Sequence, residues 1–313
     1  MPVKIPSGLP AIQELAKESI FVMTEQRADT QDIRPLRIAI LNLMPAKLAT
    51  ETQLLRVLGN TSLQVDITLL HTATYASKNT EKSHLEAFYQ TWYDVKDQYY
   101  DGLVVTGAPV EQMAFEKVEY WTELCEVMDW SETHAFSTLY ICWGAQAALY
   151  HFYDIPKRKL PKKLFGVYPH RRLRYDHLLL RGFDDVFHVP QSRHTAVDED
   201  LVRAQPDLDI LAVSEKAGMY LAATKDCSRI FVTGHSEYAR ETLEWEYLRD
   251  IAAGDDVLPP DNYYPEDDPS REPNVTWRAH GNLLFANWLN YCVYQETPFD
   301  VEKVAEQKAK KTM

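Results

Sequence analysis

Hydrophobic positions in this chain switch between runs, alternation and helical spacing, and each switch marks an element. Arg37-Ile-Ala-Ile-Leu-Asn-Leu43 is almost continuously apolar, which predicts a strand covered on both faces. Pro45 suits a turn or a first helical position, and residues 48–59 predict a helix ended by Gly59. Val65-Asp-Ile-Thr-Leu-Leu70 alternates as a second strand. Residues 84–95 predict a helix with Leu85 and Phe88 on one side and Trp92 following. Tyr100-Asp-Gly-Leu-Val-Val-Thr-Gly107 gives a third strand running into a Gly-Ala-Pro loop. Residues 118–131 predict the next helix, with Leu124, Val127 and Met128 on its apolar side, and residues 136–141 a fourth strand. This alternation over the first half of the chain predicts an α/β fold: an αβα sandwich, doubly wound in flavodoxin-like layers around a mostly parallel central sheet.

Beyond Asp154 the rhythm breaks. Basic residues and Pro156, Pro161, Pro169 and Pro190 make residues 154–197 an inserted loop and hairpin region that helps to form a site. Three strands follow at 208–213, 219–223 and 229–233, then a helix at 241–253 closed by Gly254. Residues 255–273 are acidic and proline-rich and read as an extended surface excursion. Residues 282–294 carry Leu283, Ala286, Leu289 and Val293 at helical spacing. The polar residues 1–34, with a short helix near 11–17, are expected against the outside of the domain or a partner subunit. The division is therefore an N-terminal extension (1–34), one catalytic domain (35–298) and a tail (299–313) expected to fray.

Composition narrows the function classes. In 313 residues, 33 Lys and Arg stand against 46 Asp and Glu, a formal charge of −13 that repels nucleic acid. Basic patches survive at Lys157-Arg-Lys159, Lys162-Lys163 and Arg171-Arg172. The four cysteines, at 125, 142, 227 and 292, contain no CxxC pair and no disulfide framework, and Cys125 and Cys292 read as core fillers. No window approaches the ~18 apolar residues of a membrane span. The expectation is a cytoplasmic protein with no metal, no membrane partner and no nucleic-acid partner.

Chemistry concentrates at two strand ends. Phe136-Ser-Thr-Leu-Tyr-Ile-Cys-Trp-Gly-Ala-Gln-Ala-Ala-Leu149 changes from strand formers to helix formers across Cys142 and one glycine. Such a turn holds a thiol at the carboxyl end of a sheet beside a helix N-terminus, where an anion is stabilised. Arg229-Ile-Phe-Val-Thr-Gly-His235-Ser-Glu237-Tyr ends a second strand with a base and a carboxylate. Cys142 as nucleophile, His235 as base and Glu237 as its orienting acid form the candidate triad. Trp143 N–H is the natural first oxyanion donor, and the Leu43-Met44-Pro45 loop a second source. Glutamine hydrolysis, peptidase action and acyl transfer all remain compatible with this set.

Six segments carry a more specific signal. Leu41-Asn-Leu-Met-Pro-Ala-Lys47, Thr106-Gly-Ala-Pro-Val-Glu111, Tyr140-Ile-Cys-Trp-Gly-Ala-Gln146, Pro169-His170, Pro190-Gln-Ser-Arg-His194 and Gly234-His-Ser-Glu-Tyr238 resemble the homoserine O-acyltransferases of methionine synthesis. The resemblance extends over residues 2–298 and includes Lys163-Leu-Phe-Gly-Val167, Glu244-Trp-Glu-Tyr247 and Asn282-Leu-Leu-Phe-Ala-Asn-Trp288. It implies a class I glutamine amidotransferase-like fold and a ping-pong reaction through an acyl-thioester on Cys142. His235 would accept and donate the proton, with Glu237 as its partner. Lys163, Ser192 and Arg249 match substrate-contacting positions, Arg249 as the homoserine carboxylate anchor, and Lys47 matches a lysine near the active site.

The position matching Glu111 is glycine in the succinyl-transferring type. The resemblance therefore implies acetyl-CoA as cosubstrate, L-homoserine as acceptor, and O-acetyl-L-homoserine and CoA as products. Succinyl-CoA is the alternative donor. A glutaminase is the remote alternative, because its nucleophile turn usually has glycine where this chain has Tyr140, and no synthetase domain is recognisable. No tightly bound cofactor is implied, and a homodimer is.

Overall fold

The computed structural model describes residues 3–5, 8–17, 22–24, 34–75, 80–254, 257–298, 300–304 and 306. Its strands are β1 (Val3–Ile5), β2 (Val22–Thr24), β3 (Leu36–Leu41), β4 (Val65–His71), β5 (Tyr89–Thr91), β6 (Tyr100–Val105), β7 (Ala135–Ile141), β8 (Lys157–Arg172), β9 (Val186–Val197), β10 (Leu208–Ser214), β11 (Gly218–Thr224) and β12 (Arg229–Val232). Among the described residues they form one twelve-stranded sheet, ordered β2-β1-β4-β3-β6-β7-β12-β11-β10-β8-β9, with β5 beside β4. From β2 to β12 the neighbours are parallel. The pairs β12–β11, β11–β10, β10–β8 and β8–β9 are antiparallel. The sheet is thus mostly parallel at its centre, as the apolar runs predict.

The helices are α1 (Ala11–Lys17), α2 (Lys47–Leu58), α3 (Lys82–Phe88), α4 (Trp92–Val95), α5 (Trp121–His134), α6 (Trp143–Tyr153), α7 (Glu199–Arg203), α8 (Thr242–Ala252) and α9 (Arg278–Asn287). Side-chain alternation along each central strand divides the core between the two faces of the sheet. Ile38, Ile40, Leu139 and Ile141 pack with Leu54 and Leu55 of α2 and Leu284 and Phe285 of α9. Ala39, Leu41, Val105 and Tyr140 pack on the other face with Leu124, Val127 and Met128 of α5 and with α6. Because α2 and α5 cover opposite faces, the loops after β3 and β6 part from each other. In a doubly wound sheet that parting forms a crevice at the carboxyl ends of the strands.

Several expectations are corrected. The helix expected over 84–95 is broken by β5, which pairs with Leu69, Leu70 and His71 and buries Tyr89. Thr91 and Asp94 then form a capping box that restarts the chain as α4. Here sheet pairing and a local cap override a continuous apolar pattern. The last helix begins at Arg278, and Trp288–Tyr294 continues it as a π-helix.

The excursion at 257–273 is less external than its composition suggests, because Tyr263 and Tyr264 are buried with Phe165, Val167, Tyr238 and Trp277. Those tyrosines carry no periodic signal, and their partners lie far away in sequence. In the N-terminal extension, β1 pairs with Val65 and Asp66 while Leu9, Ala11 and Leu15 join the core. In the tail, Val301–Lys303 forms a 3-10 turn and Val304 is buried; residues 299, 305 and 307–313 of that expectation lie outside the described residues.

Candidate active site

Cys142 stands between β7 and α6 with φ 51° and ψ −114°, a conformation that L side chains rarely adopt. Such strain, on the order of 1–3 kcal/mol, persists where the surroundings fix it, and here they do. Cys142 N–H donates to Val232 O at 2.7 Å, and Gln146 N–H donates to Cys142 O at 3.2 Å. Close packing of α6 against the β6 loop requires Gly144, since a Cβ there would lie 2.6 Å from Thr106 O. Gly107 is less confined but close by: its Cβ would stand 3.2 Å from Cys142 Cβ and 3.6 Å from Trp143 N. The N–H of Trp143, in the first turn of α6, lacks an intrahelical acceptor and points the helix's positive end at the nucleophile.

Parallel pairing of β12 with β7 carries the second strand end to the same edge, with Val232 beside Ile141. His235 follows it, its own N–H donating to Pro190 O at 2.9 Å. The imidazole is buried. Its Nδ1 donates to Glu237 Oε1 at 2.7 Å, and the Cys142 side chain is also within hydrogen-bonding reach of the ring. Burial opposes its protonation, but Cys142 and Glu237 outweigh that effect and hold its pKa well above the ordinary histidine value. Tyr238 stacks on the ring at 4.1 Å between centroids, which fixes its plane.

One face of α8 supplies the opposite wall. Glu246, Arg249 and Asp250 lie at i, i+3 and i+4, so they project together. Asp250 Oδ1 accepts from Arg249 Nε and Nη2 at 2.8 and 2.6 Å, while Oδ2 accepts from Lys163 Nζ at 2.7 Å. Glu246 accepts from Tyr238 OH at 2.8 Å and from Ser192 Oγ. Burial pushes the Asp250 carboxyl up, but its bonds to Lys163 and Arg249 prevail and hold it below the usual carboxylate range. Burial pushes the Glu111 carboxyl up, against the His194 N–H that donates to Oε1 at 2.9 Å.

Met44, Glu111, Cys142, Lys163, Ser192, His235 and Arg249 line one cleft of about 610 Å³. Glu237 lies behind His235, and the Trp143 side chain is buried against Phe115 and Tyr120, so neither side chain lines the cleft and Trp143 offers its backbone N–H. Lys47 is not brought to that cleft. Its Nζ donates to Asn42 O at 2.5 Å and lies over the Tyr89 ring, and burial lowers its pKa to about 8. Met44 reaches the cleft, but its N–H donates to Asn42 Oδ1 at 3.1 Å and is therefore already engaged, not open to an oxyanion. Gly107, beside Trp143 N, marks the loop closer to the nucleophile. Glu246, Asp250 and Tyr238 are further wall residues that the sequence reading missed. The i, i+3, i+4 spacing with Arg249 was the available signal for the two acids.

The homoserine O-succinyltransferase family model matches residues 2–299. A homoserine O-acetyltransferase of Desulfitobacterium hafniense (strain DSM 10664 / DCB-2) is 58% identical over 98% of this chain and 100% of its own length. A homoserine O-acetyltransferase of Brevibacillus brevis is also 58% identical, over 96% of this chain and 98% of its own. Among solved structures, a glutamine amidotransferase from Thermotoga maritima has a TM-score of 0.55 at 15% identity, covering 84% of this chain and 100% of that one. At that identity the likeness concerns the fold.

Proposed function

This chain belongs to the homoserine O-succinyltransferase family, and from that premise we propose that it acetylates L-homoserine through Cys142. The carrying observation is buried His235 between the Cys142 thiol and the Glu237 carboxylate, beneath a wall of paired charges. In the first half-reaction the Cys142 thiolate attacks the acetyl carbonyl of acetyl-CoA. A tetrahedral oxyanion forms against Trp143 N–H and the Gly107 loop. Its collapse breaks the bond to the CoA sulfur, which leaves with the proton of the His235 imidazolium. Neutral His235 next takes the proton of the homoserine side-chain hydroxyl as that oxygen attacks the acetyl-thioester. Collapse of the second intermediate releases O-acetyl-L-homoserine and restores the thiolate–imidazolium pair.

The acceptor is a zwitterion, and the cleft offers both signs of charge. Arg249 and Lys163 suit its carboxylate, the guanidinium through a fork of donors, while Glu246 and Asp250 suit its ammonium. Ser192, held against Glu246, positions the acceptor from β9. The relatives' names favour an acetyl donor, although the family description names a succinyltransferase. Glu111 supports the first reading: it fills space at the cleft and, when ionised, would repel a succinyl carboxylate.

Intact mass spectrometry after mixing with acetyl-CoA alone tests the route. One acetyl adduct is expected, absent in Cys142→Ala; an equal adduct in that variant would sink the thioester assignment. Among the described residues no helix is long and apolar enough to cross a membrane. A cytoplasmic homodimer is the proposed setting, and light scattering at several concentrations tests the assembly.

A further inference from the structure

Beside the catalytic cleft lies a cavity of about 260 Å³ that the steps above leave unused. It sits where the loops after β3, β4 and β6 meet, at the crevice created by α2 and α5 covering opposite faces. Met44, Pro109, Val110 and Met113 line both spaces, so the two share one boundary. The far wall includes Thr72, Tyr75, Val118 and Tyr120, the two tyrosine rings standing 5.8 Å apart. Asn42, Lys47, His71, Thr72 and Glu119 add polar and charged groups to a lining that is otherwise apolar.

A thioester seated on Cys142 has two directions in which to extend. Toward α8 the cleft is occupied by the ion pairs of Lys163, Arg249 and Asp250, a setting for a small zwitterion. Away from α8, at Met44, Pro109 and Val110, the cleft borders this cavity across an apolar boundary. We infer that the cavity holds the pantetheine arm of the acyl-CoA donor, an inference that rests on the acyl-transfer reading above.

The arm's chemistry matches the place. It is uncharged, with a branched dimethyl group for Val110, Val118 and the tyrosine rings and two amides for the polar groups. The polyanionic nucleotide end fits such a lining poorly and would remain at the mouth. Lys157 stands beside the shared wall residue Met113, its Nζ donating to Met113 O at 2.5 Å and lying over the Phe115 ring.

The test compares three donors: acetyl-CoA, acetyl-pantetheine and S-ethyl thioacetate, which has no arm. Val118→Trp fills the cavity without touching the reacting atoms. Tyr75→Ala, at a half-exposed wall, removes a contact with less risk to folding. Each variant, checked for a native circular dichroism spectrum, is expected to raise KM about tenfold or more for acetyl-CoA and acetyl-pantetheine alike. Homoserine KM and kcat/KM for S-ethyl thioacetate should stay within about twofold, since neither compound carries the arm that the cavity holds. Unchanged KM for acetyl-pantetheine in folded Tyr75→Ala would overturn the assignment, as would an equal loss with the armless donor. Failure of the parent enzyme to acetylate Cys142 from any donor would instead refute the underlying reaction.

Discussion

The His194 N–H anchors Glu111, and that bond turns a loop glutamate into a fixed wall of the cleft. Burial raises its pKa by disfavouring the carboxylate, so the side chain resists a second negative charge in either of two ways. If ionised it repels the charge; if neutral it still fills the volume. Replacement by glycine removes both obstacles. In a side-by-side assay with homoserine, Glu111→Gly is expected to lower kcat/KM for acetyl-CoA and to raise the succinyl-CoA to acetyl-CoA ratio by about tenfold or more. A parent enzyme that already prefers succinyl-CoA would refute the role. The identities of Cys142, His235 and Glu237 as candidates were legible because each stands at or just beyond a recognisable strand end. The direction of Lys47 was not legible. Its side chain answers to Asn42 and Tyr89, and the latter lies 42 residues beyond it on a strand that the sequence reading had placed in a helix.

At the scale of elements, α8 brings opposite charges together before any substrate arrives. Arg249 is 63% exposed yet binds one oxygen of Asp250 through two nitrogens, leaving Lys163 the other oxygen. Asp250 therefore aims both cations into the cleft. Substitution of Arg249 with alanine should remove a charge-assisted contact worth about 1–2 kcal/mol once solvent screening is counted. The expected result is a homoserine KM raised roughly tenfold with acetylation of Cys142 retained. Rapid-mixing mass spectrometry separates the half-reactions, and loss of acetylation with homoserine binding intact would contradict the assignment. The sequence predicted this helix, but not that its acids share one hydrogen-bonded cluster with β8 and β9. That cluster exists because the hairpin β8–β9 pairs Phe165 with Ser192 and so carries Lys163 and Ser192 to the same wall.

At the scale of the whole molecule, His170 ties acid stability to the same hairpin. Its Nδ1 donates to Tyr168 O at 2.9 Å, its Nε2 accepts from Gln191 Nε2 at 3.4 Å, and Phe187 and Tyr220 flank the ring. Burial lowers its pKa from 6.5 to about 4. The folded state consequently binds the proton less readily than the unfolded chain. The stabilisation is complete above the unfolded value and is lost as pH falls through the window from 6.5 to about 4. Between pH 6.5 and 5 the cost is on the order of 2 kcal/mol. Denaturant unfolding across that interval should show a shallower pH slope in His170→Gln than in the parent; identical slopes would exclude His170 as the cause.

The sequence by itself determined the αβα layers, the sheet's parallel centre and the placing of cysteine and histidine at its carboxyl edge. Those features follow from side-chain periodicity and from turns encoded by adjacent residues. Tertiary structure alone decided that Tyr89 leaves the helix for the sheet, that Tyr263 and Tyr264 anchor an acidic excursion, and that Met44 N–H is engaged by Asn42. It also decided that the cleft has a charged end and an apolar neighbour. Each of these depends on partners supplied by other segments, and periodicity within one segment records which face is buried, not what covers it.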